Sequence, residues 1–267
     1  MRRLIVALTV LCAGALAALV PVIDSSAATR RTGGPVGVPG TWHPVFADEF
    51  GGTGLDPATW RPGWFGTGIT GPVNGAERAC YRGSHATVPG DGTLHLALTA
   101  DPATCRGSSR PYTGALVSTN PKDGRPSGGF DFTYGVIEAR VFLPAAPSGA
   151  IANWPAVWTD GEGAWPTTGE DDVMEGLSGR ACFHFHSDAG GPGGCAPGSF
   201  TGWHTFAADW APGSVTYYYD GVRVGRITSG VTGAPMFVLL DYTTGGYGGP
   251  SAPGVMRVDY VRVWQVG

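Results

Sequence analysis

Glycine or proline falls at about one position in four of this chain, 45 glycines and 22 prolines in 267 residues. Periodic apolar stretches long enough for several helices do not fit between breakers this frequent, so an all-helical bundle is excluded and short strands joined by many turns are expected. The glycines follow no three-residue period, which rules out a collagen-like rod. A chain that is 42% apolar with nine tryptophans has the means to bury a core that a charged, disordered chain lacks.

The first 28 residues read as a secretory signal, with Arg2 and Arg3 as the basic start, Leu4 to Val20 as the apolar stretch and Ser26-Ala27-Ala28 as a small-residue cleavage site. The apolar stretch sits at the short limit for a membrane span, and nothing after it is long enough to cross a bilayer, so no membrane association is expected after cleavage. Residues 29–40 read as a flexible leader rich in Gly, Pro and Thr, and 41–267 as one domain without linker or repeat. Export to an oxidising compartment makes disulfides of Cys80, Cys105, Cys182 and Cys195. Of three connectivities, Cys80–Cys105 with Cys182–Cys195 is preferred because each closes a local loop, although the sequence leaves the other two open. Loss of Arg2, Arg3 and Asp24 takes the formal charge from −4 to −5, and no run of basic residues opposes it. Nucleic acid is therefore a poor partner, and a neutral substrate met by a secreted monomer is expected.

Strand-like runs bounded by turn residues recur at 93–99, 135–143, 181–186, 214–220, 236–242 and 256–265. In Val136-Ile137-Glu138-Ala139-Arg140-Val141 and Val258-Asp259-Tyr260-Val261-Arg262-Val263, polar and apolar residues alternate, the pattern of a sheet wet on one side. Asp220-Gly221 between two such runs is a hairpin signal. The architecture expected is all-β, a sandwich of two antiparallel sheets.

Gly169-Glu170-Asp171-Asp172-Val173-Met174-Glu175-Gly176 places four acids within six residues. On a regular strand Glu170 and Asp172 share a face, while Glu175 points to the other. A single β-bulge at Val173-Met174 would return Glu175 to the first face, so that all three line one row. At about 3.3 Å per residue the two glutamates start roughly 13 Å apart at Cα, and inward-leaning side chains over a concave sheet would bring their carboxyls to roughly 5 to 6 Å. That separation suits double displacement at a sugar. A solvated acidic edge or a calcium loop is the plainer reading of the octapeptide in isolation.

The flanking sequence resembles glycoside hydrolase family 16, the laminarinase and lichenase type of β-glucanase. Phe46-Ala47-Asp48-Glu49-Phe50-Gly51-Gly52 looks like the family's opening strand, Tyr134-Gly135-Val136-Ile137-Glu138-Ala139-Arg140 its Y-G-x-x-E-A-R strand, and Trp154-Pro155-Ala156-Val157-Trp158 its W-P-A-x-W strand. Trp203 to Trp210 and Met256 to Val263 resemble later strands in the same order, so the resemblance runs from Phe46 to Val263. It implies a concanavalin-like β-jelly roll with a concave carbohydrate cleft. It also implies a nucleophile at Glu170, a general acid/base at Glu175 and an intervening acid at Asp172, with no cofactor required for catalysis. Asp171 stands where the family usually has an aliphatic residue, and its carboxylate needs a partner if buried. A frequent family arginine in the strand around Gly114-Ala115-Leu116 is absent, with Ala115 read at its place.

Trp154 and Trp158 share one face of a strand and, by the family's placement of that strand beside the catalytic one, are expected to stack on sugar rings, with Trp165 as a further candidate. His184 and His186 alternate on the following strand, and His186 is taken as the one that meets the substrate or the acids. The rival reading of Cys182, His184, His186 and Asp188 as the start of a zinc-hydrolase signature lacks the further ligands that zinc needs. A structural calcium is implied at Glu49, the Gly92 carbonyl and Asp259, an oxygen-only set. The function expected is a secreted retaining endo-β-glycosidase acting on a polysaccharide, β-1,3- or β-1,3-1,4-glucan. The alternative is a carbohydrate-binding jelly roll without turnover, which would have no need of an acid/base glutamate.

Overall fold

The computed structural model describes residues 33–123 and 128–267. The signal read at 1–28 and the start of the leader lie outside the described residues. In chain order the strands that matter here are β1 (Trp42–Asp48), β2 (Ala79–Arg82), β3 (Leu94–Leu98), β4 (Tyr112–Ser118), β5 (Gly135–Leu143), β6 (Trp154–Gly161) and β7 (Glu170–Leu177). They continue with β8 (Arg180–His186), β9 (Gly193–Cys195), β10 (Gly202–Ala211), β11 (Ser214–Tyr219), β12 (Val222–Ile227), β13 (Met236–Thr243) and β14 (Gly254–Val266).

Two large sheets result. The back sheet runs β12-β11-β10-β5-β14-β3, with β1 also paired to β14, and the cleft sheet runs β9-β8-β7-β6-β13-β4-β2. The strands pair antiparallel except β2, which lies parallel to β4. The strand β13 shows how the sequence makes the layers: Met236, Val238, Leu240 and Tyr242 enter the core between the sheets, while Phe237 and Leu239 pack on the opposite face. From the back sheet Leu94, Leu96 and Leu98 on β3 and Ile137, Ala139, Val141 and Leu143 on β5 complete that core. The jelly-roll sandwich read from the sequence is the fold observed.

The hairpin at Asp220-Gly221 forms with φ of 49° and 75°, both left-handed as a type I′ turn demands. Both local disulfides form, Cys80–Cys105 and Cys182–Cys195. Loops of this length contribute roughly 3 kcal/mol each by constraining the unfolded chain.

One expectation changes. The segment read as flexible leader is docked from residue 34 onward: Val38 is buried with Val136, Ala207, Tyr218 and Trp264, and the Val36 N–H donates to Glu138 Oε2 at 2.7 Å. This cover is why Glu138, expected on a wet face, is buried and also accepts from the Tyr260 hydroxyl at 3.0 Å.

Candidate active site

The register of β7 carries the site. Against β6, Asp160 lies opposite Glu170, Trp158 opposite Asp172, Val157 opposite Met174 and Ala156 opposite Glu175, which leaves Val173 as one surplus residue. Against β8 the same shift falls between Asp172 and Glu175. Both Val173 and Met174 turn into the core, and Glu170, Asp172 and Glu175 all line a cleft of about 710 Å³. The acids therefore stand in one row because apolar burial claims two consecutive residues where a regular strand would bury one.

One indole hydrogen bond and two histidines frame the row. The Trp154 indole N–H donates to Glu175 Oε1 at 2.8 Å, and His184 Nδ1 is 3.4 Å from Glu175 Oε2. His186 Nε2 lies 3.2 Å from Asp172 Oδ2 and 3.9 Å from Glu170 Oε1. Both histidines thus face the acids, where the sequence singled out His186 alone. Burial raises the carboxyl of Glu170, the charge of Asp172 raises it further, and His186 pulls it back. Burial likewise holds Asp172 well above the carboxylate range, with Glu175 and Asp171 adding to the rise. Like charges this close cannot all ionise, so the row keeps a proton at neutral pH.

Trp154 and Trp158 line the cleft, both largely buried, and Trp165, 59% exposed, also lines it with its ring 6.4 Å from that of His186. The sequence missed Asp241, which accepts the Trp158 indole N–H at 2.7 Å and faces the Tyr81 hydroxyl at 3.4 Å. It also missed Glu77, whose carboxylate accepts the backbone N–H groups of Val73 and Asn74 at 2.9 and 3.1 Å. Burial pushes Glu77 up to about 7. Alternation on β13 was a usable signal for Asp241; Glu77 arrives from a loop that carries no local pattern.

Ala115 faces the core, while its neighbour Leu116 packs against Tyr81 and Trp158. An arginine at 115 would drive a charge between the sheets, so the strand position that meets the cleft aromatics is 116, not 115.

Donor atoms of Glu170, Asp172 and His186, and of Asp172, Glu175 and His184, come within 4.8 Å of one another and could hold a metal only by occupying the acid row itself. Asp188 does not join them; its carboxylate accepts the Thr167 hydroxyl at 3.1 Å. The calcium set does not fit an open oxygen cage. Glu49 is held by both Arg262 nitrogens at 2.8 Å, and Asp259 by Arg140 at 2.8 Å, so a cation there would have to displace two guanidinium groups.

Asp171 points to the opposite side of β7, into the core, and the partner that the sequence could not supply is Tyr217, whose hydroxyl donates to Oδ1 at 2.7 Å. Burial pushes Asp171 up to about 7. Its folded value exceeds the unfolded value of about 3.9, so the native state holds an extra proton between those pH values and loses stability as pH rises through that window. Replacing Asp171 by Leu removes the titration, and the Tyr217 hydroxyl keeps the His184 carbonyl at 3.1 Å. Asp171→Leu is expected to raise the thermal midpoint at pH 8 by about 2–4 °C, following about 1 kcal/mol, and to flatten its dependence between pH 4 and 8. An unchanged slope in calorimetric scans would contradict this.

No family model matches the chain. It is 28% identical over 264 aligned residues to a β-glucanase of Rhodothermus marinus, covering 84% of this chain and 85% of that one. An endo-1,3-1,4-β-glycanase of Rhizobium meliloti is 27% identical over 256 residues, and there the chain spans only about half (49%) of the relative. Among solved structures, the laminarinase catalytic domain of Thermotoga maritima superposes with a TM-score of 0.70 at 26% identity, over 85% of this chain and 99% of that domain.

Proposed function

We propose that this chain, which belongs to the laminarinase and lichenase type of glycoside hydrolase family 16, cleaves β-1,3- or β-1,3-1,4-glucan internally and with retention of anomeric configuration. The observation that supports the reading best is the single bulge that sets Glu170, Asp172 and Glu175 in one row along the cleft. In the first step the Glu170 carboxylate forms a bond to the anomeric carbon while the glycosidic bond breaks and Glu175 gives its proton to the departing oxygen. In the second, water loses a proton to Glu175 and attacks the same carbon, releasing Glu170. Asp172 stands between them within reach of His186, and burial with the charges of Glu175 and Asp171 raises its carboxyl, so that the row does not carry three charges at once. Trp154 fixes the acid/base carboxyl through its indole N–H, and Trp158, fixed in turn by Asp241, offers an apolar face to a sugar ring.

Secretion through the signal read at 1–28 and action as a monomer belong to the same proposal. Incubating the mature chain with laminarin, lichenan, agarose and xyloglucan, followed by linkage analysis of the products, tests it. Oligosaccharides released from laminarin or lichenan are expected. Retention of glucan without new reducing ends would instead favour a binding protein, and cleavage confined to agarose or xyloglucan would overturn the substrate.

A further inference from the structure

We propose that Asp160 is a specificity-determining residue that hydrogen-bonds a ring hydroxyl of the sugar seated over Trp158. The inference rests on the glucanase reading above and adds a contact to it. Trp154, Ala156, Trp158 and Asp160 follow one another on the cleft face of β6, two residues apart, while Val157 between them is in the core. Asp160 is thus the next cleft residue beside the tryptophan platform, and it lies directly across from Glu170 in register. Trp158 is largely covered, with the Trp64 ring 5.8 Å from its own, and a sugar seated at its cleft edge would lie beside this carboxyl.

The side chain is not explained by the fold. Asp160 is 8% exposed; the Gly161 backbone N–H is a donor to its carboxyl, yet among the described residues its Oδ1 has no hydrogen-bond partner and no Lys or Arg forms a salt bridge with it. A buried acid left short of partners costs stability, and such costs are characteristic of binding sites rather than scaffolds. Because Oδ1 is enclosed, a sugar hydroxyl in the cleft that Asp160 lines would meet the carboxyl at Oδ2. Burial also pushes this carboxyl up to about 7, which lets it donate as well as accept at neutral pH.

Kinetics and calorimetric unfolding of Asp160→Leu and Asp160→Asn on the glucan that the wild type cleaves test the assignment, together with laminaritetraose titration of Glu175→Gln with and without Asp160→Leu. For Asp160→Leu we expect KM to rise about tenfold with a smaller effect on kcat, binding to the inactive background to weaken about tenfold, and the thermal midpoint to rise. Asp160→Asn, which keeps a donor and an acceptor, should stay within about threefold of wild type. Unchanged KM and binding in Asp160→Leu would overturn the assignment, as would a lowered midpoint with equal losses in both variants, which marks a structural role. If the Glu175→Gln parent itself bound no glucan, and the wild type cleaved none, the glucanase reading would fall and this one with it; a parent that binds while Asp160→Leu binds equally well sinks this one alone.

Discussion

Glu175→Gln is expected to lower kcat on the cleaved glucan by about 10²–10⁴-fold while leaving affinity for laminari-oligosaccharides nearly unchanged. The side-chain oxygen that accepts the Trp154 indole N–H at 2.8 Å survives the exchange, so the residue keeps its place. What it loses is the proton for the departing oxygen in the first step and the basicity that activates water in the second. Because neither role contributes to holding the ground-state sugar, the loss should fall on kcat rather than on binding. Rate assays paired with titration calorimetry check it. Undiminished turnover would remove Glu175 from the chemistry, and equal loss of binding would make it a substrate anchor.

Glu170→Ala should be the more damaging substitution, on the order of 10⁴-fold or more, since no other carboxylate on β7 occupies that end of the row. Asp172, two residues on, lies opposite Trp158 rather than Asp160 in register, so its carboxyl does not stand where that of Glu170 stood. The cavity left by the missing side chain opens the face from which the carboxylate attacks. Added azide with an activated β-glucoside donor should therefore restore bond cleavage and give the α-glycosyl azide, one displacement in place of two. The β-azide from this variant would exchange the assigned roles, and undiminished turnover in Glu170→Ala would leave Glu170 outside the reaction.

Much of this site was legible because parity is a strong constraint. Acids at 170, 172 and 175 can share a face only if one residue is surplus, and the apolar pair Val173-Met174 is where a surplus residue can be buried. Alternation likewise gave the two layers, as on β13, where every second residue enters the core. What stayed hidden depended on contacts far apart in sequence. Tyr217 meets Asp171 across the sandwich, Glu77 reaches the cleft from a loop, and Val36 and Val38 close over Glu138, which alternation alone marked as wet. Asp160 was within reach, since the two-residue period through Trp154 and Trp158 continues to it, but an acid at the end of an apolar run reads as the strand's exit. Ala115, read as standing in place of a frequent family arginine, faces the core, because register against Tyr242, not local pattern, decides which side of β4 faces the cleft. The pairing of Glu49 and Asp259 with arginines on neighbouring strands was hidden for the same reason, since Arg262 and Arg140 are distant in sequence from the acids they meet.

Proton NMR of the first product formed, recorded before mutarotation, addresses double displacement by Glu170 and Glu175 most directly. Two inversions at one carbon require the β-anomer to appear first and the α-anomer to grow in afterwards. Initial appearance of the α-anomer would mean a single displacement by water, and the roles given to the two glutamates would not stand.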